Sequence, residues 1–424
     1  MLQVPFIRQN KDQVLERLTL KNFRELELVD QVLELDDKRK KLTLEYDETQ
    51  AKVNSNSKEI GKLMAQGQKD EAESRKSEVA SLKARLQPIN EELAATEKLL
   101  HDTLVKLPNL PSPLVPPGKT PEENVEVRKG GDIPQLHEGA VPHWDLVKKY
   151  DLIDFELGNK ITGAGFPVYK NRGARLQRAM IQYFLNFNTD KGYTEFQVPH
   201  LVNSDSGYGT GQLPDKEGQM YFVGEDELYL IPTAEVPLTN IFRDEILKDT
   251  ELPVKLTGYT PCFRREAGSY GKDVRGLNRL HQFDKVEVVQ VVHPEKSYEI
   301  LDEMVAHVEE LVKSLELPYR ILRLCGGDMG FASALTYDFE VYSTAQQKWL
   351  EVSSVSNFES FQANRAKIRF KDGGGKPQLV HTLNGSSLAL PRILACILEN
   401  NQTPEGINIP KVLQPYFGAD KIAL

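Results

Sequence analysis

Two neighbouring segments carry side chains able to hold a polyanion beside a flat ring. Thr260-Pro-Cys-Phe-Arg-Arg-Glu266 ends in an Arg-x-Glu pair, and Arg279-Leu-His-Gln-Phe-Asp-Lys-Val-Glu287 brings Arg279, Phe283 and Glu287. A glycine-rich, charged loop joins them, so the whole is expected to be a hairpin. The Arg264 guanidinium can fork onto a phosphate, which a lysine contacts only as a point charge. Phe283 offers a ring face to a base, and Glu266 and Glu287 accept from amino or hydroxyl groups. This chemistry suits ATP beside a small polar substrate.

Three further segments extend it. In Ile231-Pro-Thr-Ala-Glu235 a hydroxyl and a carboxylate stand at a spacing that can meet an ammonium group and a polar side chain. Thr233 is equally a natural N-cap for a helix expected over Val236–Leu247. Glu351-Val-Ser-Ser-Val-Ser-Asn357 reads as a strand, in which simple alternation puts Glu351 and Ser353 on one face and Ser354 on the other. A carboxylate and a hydroxyl there make a hard-cation site such as one for Mg²⁺. His381-Thr-Leu-Asn-Gly-Ser-Ser-Leu-Ala-Leu-Pro-Arg392 reads as a strand, a Gly/Ser turn and the start of an apolar helix. Arg392 there lies beside amide donors that favour phosphate. Neither Gly-x-x-x-x-Gly-Lys-Thr nor Gly-x-Gly-x-x-Gly occurs, so a nucleotide is not held by a P-loop.

The elements that position these groups follow from composition. Residues 28 to 104 contain no Trp or Phe, and only Gly61, Gly67 and Pro88 interrupt them. One heptad seam runs through Val32, Leu35, Arg39, Leu42, Tyr46, Thr49, Val53, Asn56, Ile60 and Leu63. A second runs through Val79, Leu82, Leu86, Ile89, Leu93, Thr96, Leu100, Thr103 and Leu107. Joined by a turn near 65–70, they predict a long antiparallel helical hairpin with arms of roughly 45–50 Å at 1.5 Å per residue, kinked at Pro88. Towards the turn Lys52, Lys58, Lys62, Lys69, Arg75, Lys76, Lys83 and Arg85 outnumber the acids. Such a tip suits a phosphate backbone; a dimerising stalk is the plainer alternative.

Residues 1 to 27 read as a short helical cap. The proline-rich run Leu107 to Gly131 predicts a domain boundary near 110 and a semi-rigid linker. Beyond it an amphipathic helix over 173–188 precedes a strand over 192–199. Further strands are expected at 229–231, 254–260, 285–292, 338–342 and 349–353, with a helix over 297–315. Strands in series with helices around them indicate an α+β fold with a largely antiparallel sheet. Cys262, Cys325 and Cys396 lack metal or disulfide spacing and are expected to be buried. No leader-like or membrane-length apolar run occurs, which makes a cytoplasmic protein the default. The net charge of −9 counts against general nucleic-acid binding and against DNA as a partner.

The hairpin Thr260–Glu287 resembles motif 2 of the class II aminoacyl-tRNA synthetases, in wording close to the bacterial-type seryl-tRNA synthetases. The helix and strand ending at Pro199 resemble motif 1, and His381–Arg392 resembles motif 3. The similarity runs from the N-terminal hairpin to the last residues. It implies an α+β catalytic domain over 111–424 and a tRNA-binding helical arm over 1–110. The implied activity is that of a serine–tRNA ligase using ATP and Mg²⁺. It further implies L-serine, tRNA(Ser) and tRNA(Sec) as partners, a homodimer, and no membrane association.

By resemblance, catalysis rests on Arg264, Glu351 and Arg392, and the metal on Glu351 and Ser354. ATP is met by Arg264, Arg265, Glu266, Arg279, Leu280, Phe283, Glu351, Val352, Ser353, Ser354 and Arg392. Serine is met by Thr233, Ala234, Glu235, Glu287, Asn384 and Ser386. Two positions depart from the bacterial pattern, which has glycine at Ser387 and Pro391. Proline is compatible with a first helical turn, whereas Ser387 is expected to add bulk near the amino-acid pocket. Relatives that charge carrier proteins lack the arm, and an inactive regulator is expected to have lost Arg264, Glu351 or Arg392; the chain has all of these.

Overall fold

The structure, a computed structural model, describes residues 1–215, 217–266 and 275–424. The glycine-rich loop expected between the two hairpin segments, over 267–274, lies outside them. The chain forms two compact units, Met1–Thr19 with Phe23–Pro108, and Leu20–Asn22 with Asn109–Leu424.

The first unit is built on α1 (Leu28–Ala65) and α2 (Lys69–Leu104), preceded by short helices over Val4–Gln9 and Lys11–Leu20. The turn at 66–68 falls where expected. The seam residues are buried or half-buried along both helices, with Val53, Val79 and Leu86 at the centre of one apolar cluster. Ion pairs Lys38–Glu92, Glu45–Arg85 and Glu59–Arg75 step antiparallel along the pair. Pro88 sits inside a continuous α2, on its exposed side.

The heptads did not foresee Asp36, which is buried and takes ion pairs from Arg8 (2.9 Å), Arg39 (2.8 Å) and Lys40 (2.7 Å). Burial pushes its carboxyl up, but the hydrogen bonds from Lys40, Arg39 and Arg8 outweigh it and bring it down to about 2. A depressed carboxylate stabilises above its unfolded pKa, and that contribution is lost as pH falls towards 2. Asp36→Asn is therefore expected to lower the arm's stability by about 2 kcal/mol at neutral pH, and by much less near pH 2. Helical melting followed by circular dichroism checks it; an equal loss at both pH values would contradict the assignment.

The second unit is organised by an eight-stranded sheet. Its strands are β1 (Val125–Gly130), β2 (Thr194–Glu195), β3 (Val254–Phe263), β4 (Gln282–Val292), β5 (Tyr319–Arg323), β6 (Leu335–Ser343), β7 (Lys348–Asn357) and β8 (His381–Ala389). They lie in the order β1-β5-β6-β7-β8-β4-β3-β2. Every neighbouring pair is antiparallel except β2 with β3. The helices α3 (Asn171–Asp190), α4 (Ser297–Ser314) and α5 (Leu390–Asn400) supply apolar faces to the main core. Leu301, Met304, Val308 and Leu311 of α4 show the helical spacing. Val286 and Val288 of β4 point into this core, while the alternate positions Phe283, Lys285 and Glu287 face a cavity.

Several expectations need correction. The strand over 192–199 is two residues long, Thr194–Glu195, and pairs in parallel with Leu256 and Thr257 of β3. The helix over 236–247 is a single short one, Glu235–Asn240, and Ile246–Lys248 is a strand. The run after Pro108 is not a solvated linker. The Asn109 side chain donates to the carbonyls of Ala332 (2.9 Å) and Phe358 (2.8 Å), and Ser112 N–H donates to Ala334 O at 2.7 Å. Lys21 is buried beside it, donating to the carbonyls of Asn109, Phe331 and Ser333 at 2.9–3.2 Å, and burial pulls its ammonium down to about 7. Backbone oxygens thus satisfy the polar groups that would otherwise have kept this segment in water. All three cysteines are buried and unbridged.

Candidate active site

A cavity of about 880 Å³ opens on the sheet face opposite the main core, within the size range of small-molecule sites. Thr233, Glu235, Glu287, Asn384 and Ser386 line one end. Arg264, Glu266, Arg279, Leu280, Phe283 and Arg392 line it elsewhere, as do Glu351, Val352, Ser353 and Ser354. Ala234 and Arg265 do not line it: Ala234 is fully buried among apolar residues, and Arg265 is exposed. Ser387 also points away. Its hydroxyl donates to Asn188 Oδ1 on α3 at 2.8 Å, because β8 runs as a strand through the Gly/Ser stretch where a turn was expected. Adjacent strand residues face opposite ways, so Ser386 takes the cavity and Ser387 the core. Its bulk is therefore not near the pocket.

The carboxylate end is tightly connected. Lys285 Nζ lies 2.6 Å from Glu287 Oε2 and donates to Thr233 Oγ1 at 3.0 Å; that hydroxyl donates to Glu287 Oε2 at 3.3 Å. Gln362 donates to Glu235 Oε1 at 2.6 Å and to Thr210 O at 3.1 Å. Thr233 Oγ1 also accepts from Glu235 N–H at 3.2 Å, so the residue serves its helix start and the cavity together. Burial, then the nearby Glu287 charge, pushes Glu235 up to about 7; burial also raises Glu287, against the pull of Lys285. Lys285 pairs with Glu287 alone, and Glu235 has the neutral Gln362 amide for a partner, so this part of the pocket has two carboxylates to one ammonium. Lys285 and Gln362 were missed from sequence. Lys285 was findable, since it lies two residues from both Phe283 and Glu287 on one strand face; Gln362 carries no local signal.

At the other end Arg264 lies 5.3 Å from the Phe283 ring centre and donates from Nε to Pro232 O at 3.3 Å. Arg279 is paired with Glu266. Arg392, in the first turn of α5, donates to the carbonyls of Asn278 (3.0 Å) and Glu351 (2.8 Å).

Simple alternation fails at β7. Phe339 pairs with Ser353 but Glu340 pairs with Glu351, so Val352 is an extra residue in a bulge. Glu351 is thereby opposite Glu340, and Ser354 opposite Asp338. Cross-strand partners share a face, so the bulge puts Glu351 and Ser354 on the same side. Asp338 Oδ1 has no hydrogen-bond partner among the described residues, and burial, then Glu351, raises its carboxyl well above the usual range. Glu340 is paired with Arg320 and Glu351 lies 3.6 Å from Arg392, so Glu351, Ser354 and the unpartnered Asp338 oxygen are the hard donors this face offers a cation.

A mainly antiparallel sheet carrying an Arg-x-Glu hairpin and a following strand–helix arginine defines a class II aminoacyl-tRNA synthetase core. Residues 222–401 match the family model of the tRNA synthetase class II core domain (G, H, P, S and T). Residues 1–111 match that of the seryl-tRNA synthetase N-terminal domain. The chain is 47% identical over 424 residues to the serine–tRNA ligase of Salinibacter ruber, covering 100% of this chain and 99% of that one. It is 49% identical to the serine–tRNA ligase of Neisseria meningitidis serogroup C, covering 99% and 98%. The crystal structure of seryl-tRNA synthetase from Pyrococcus horikoshii complexed with ATP superimposes with a TM-score of 0.93 at 33% identity, covering 100% and 99%. The chain belongs to the seryl-tRNA synthetase family, the ATP-dependent class II serine–tRNA ligases.

Proposed function

We propose that the cavity joins L-serine to ATP and then passes the serine to tRNA(Ser), and also to tRNA(Sec), in two steps. Serine's carboxylate attacks the α-phosphorus in line, pyrophosphate leaves, and seryl-adenylate remains. A hydroxyl of the terminal ribose of the tRNA then attacks the activated carbonyl, releasing AMP. Positioning and charge stabilisation supply most of the acceleration, since no side chain need form a covalent bond.

The observation that carries this reading is the pair of buried carboxylates, Glu235 and Glu287, with Lys285 paired to Glu287, in one cavity with arginines and Phe283. The serine ammonium supplies the charge the carboxylate pair lacks. Thr233 and Ser386 meet its hydroxyl and carboxylate, with Asn384 beside them. Arg264 holds the α-phosphate where negative charge develops. Phe283 and Arg392 flank adenine, and Glu266 accepts from its amino edge. Leu280, Val352 and Ser353 complete the ATP walls. Glu351 and Ser354 would hold Mg²⁺, which offsets the charge of the phosphates when bound. Alanine leaves the hydroxyl partners unpaired, which discriminates strongly, and threonine is refused for lack of room.

The arm over 1–110 grips the tRNA and the domain over 111–424 performs the chemistry, acting as a homodimer in the cytoplasm. Support for the arm comes from its basic tip, and for the dimer from the motif 1-like helix α3 with its short strand. Among the described residues no helix is long and apolar enough to cross a membrane.

The test is pyrophosphate exchange against all amino acids, with serine expected to be the one that supports it. A pH dependence follows. Glu235 must be ionised to receive an ammonium, and its carboxyl titrates at about 7. The KM for serine is expected to rise about tenfold from pH 8 to pH 6. A raised carboxyl stabilises the empty fold below its ordinary pKa and loses that contribution as pH rises through 7. Serine should therefore raise the melting temperature more at pH 8 than at pH 6. A serine KM that is flat over this range would overturn the role of Glu235.

A further inference from the structure

We propose that His143 and Glu399 are positioning residues for the nucleotide, holding the segment Gly276–Arg279 in place from behind; this rests on ATP occupying the arginine end of the cavity. Both side chains are fully buried. His143 opens the helix His143–Lys149, and Glu399 lies near the end of α5. His143 Nδ1 is 2.6 Å from Glu399 Oε1, and the His143 backbone N–H donates to that oxygen at 2.8 Å. His143 Nε2 accepts from the backbone N–H of Leu277 at 2.8 Å. One proton arrangement satisfies all three contacts: Nε2 is bare, and Nδ1 carries the proton and donates it to the carboxylate.

Leu277, Asn278 and Arg279 form part of the cavity wall, so the ring reaches the site through a single peptide N–H. A parallel link runs through Gln346, which donates to Glu399 Oε1 at 2.9 Å and accepts from Asn278 Nδ2 at 2.9 Å. The Asn278 carbonyl in turn receives Arg392 Nε at 3.0 Å. Glu399 thus fixes the position of Leu277 through the imidazole, and that of Asn278 and Arg392 through the amide.

Two adjacent contacts show that the segment is seated on this helix. The Arg275 guanidinium lies 4.5 Å from the Trp144 ring centre. Gly276 has a φ of +65°, and a Cβ there would come within 2.2 Å of His143 Nε2. Only glycine lets the backbone approach the ring closely enough for Leu277 to donate. A histidine kept for packing alone has no need of so close a backbone or of a carboxylate fixing its tautomer.

The test separates the two ring nitrogens. In His143→Asn the shorter amide reaches Glu399 but leaves Leu277 N–H without an acceptor. In His143→Gln the amide oxygen reaches Leu277 N–H. In pyrophosphate exchange, His143→Asn is expected to raise the KM for ATP about tenfold and to leave the KM for serine within about twofold. His143→Gln is expected to recover most of that loss. Gln346→Leu, at a half-buried position, is expected to raise the KM for ATP about threefold and serves if His143→Asn does not fold. Phe283→Leu tests the underlying placement of ATP separately. If Phe283→Leu raises the KM for ATP while Gln346→Leu and both His143 variants leave it unchanged, the positioning role is overturned and the site stands. Equal effects of the Asn and Gln variants, or a parallel rise in the KM for serine, also overturn it. An unchanged KM for ATP in Phe283→Leu rejects the placement of ATP itself.

Discussion

Glu287→Ala is expected to lower serine-dependent pyrophosphate exchange by about a thousandfold, with the helical and sheet signature of the fold retained. Three consequences of the geometry combine. The substrate ammonium loses a buried carboxylate, an interaction worth about 2–5 kcal/mol when truncated. Lys285, buried and 2.6 Å from Glu287, loses its ion-pair partner and becomes a bare cation where the substrate's positive charge must settle. Thr233 also loses the acceptor that orients its hydroxyl. Glu287→Gln keeps that acceptor and removes only charge, so its loss should be smaller, about a hundredfold. Near-normal exchange by the alanine variant would show that Glu287 does not meet serine.

The residues that sequence placed well are those whose role is local. Phe283 and Glu287 stand at strand spacing on one face, and the hairpin register pairs Phe283 with Cys262 and Glu287 with Gly258. The heptad seams gave the helical pair because burial repeats at the same spacing along both helices. Features that depend on a distant partner were not legible. The bulge at Val352 brings Glu351 and Ser354 together, yet it exists only in the pairing of β7 with β6. Asp36 is buried where Arg8, some thirty residues earlier, joins the local Arg39 and Lys40 in pairing it. The Pro-rich run after Pro108 reads as a linker until the carbonyls of the 331–334 loop accept its donors. Ser387 reads as a pocket intrusion while the Gly/Ser stretch is taken for a turn, and as a core contact once that stretch is a strand.

Deleting residues 30–100 and joining the ends with a short Gly-Ser linker is expected to leave serine-dependent exchange within about threefold and to lower tRNA charging more than a hundredfold. The first half follows from construction. Among the described residues, every one lining the cavity, from Pro121 to Arg392, belongs to the second unit, whereas the hairpin buries its seam within the first. The antiparallel ion-pair ladder, with Lys38 opposite Glu92 and Glu45 opposite Arg85, places the two ends of the cut near one another at the root. The second half follows from charge. Lys52, Lys58, Lys62, Lys69, Lys76 and Lys83 are exposed towards the turn, and each contact with a phosphate adds counterion release to the affinity. Charging by the full chain should therefore weaken steeply with salt, while exchange should respond much less. Replacing Lys58, Lys62 and Lys69 together by glutamate should reproduce most of the charging loss without shortening the chain. Undiminished charging by the truncated protein would leave the arm as a stalk and move tRNA recognition elsewhere.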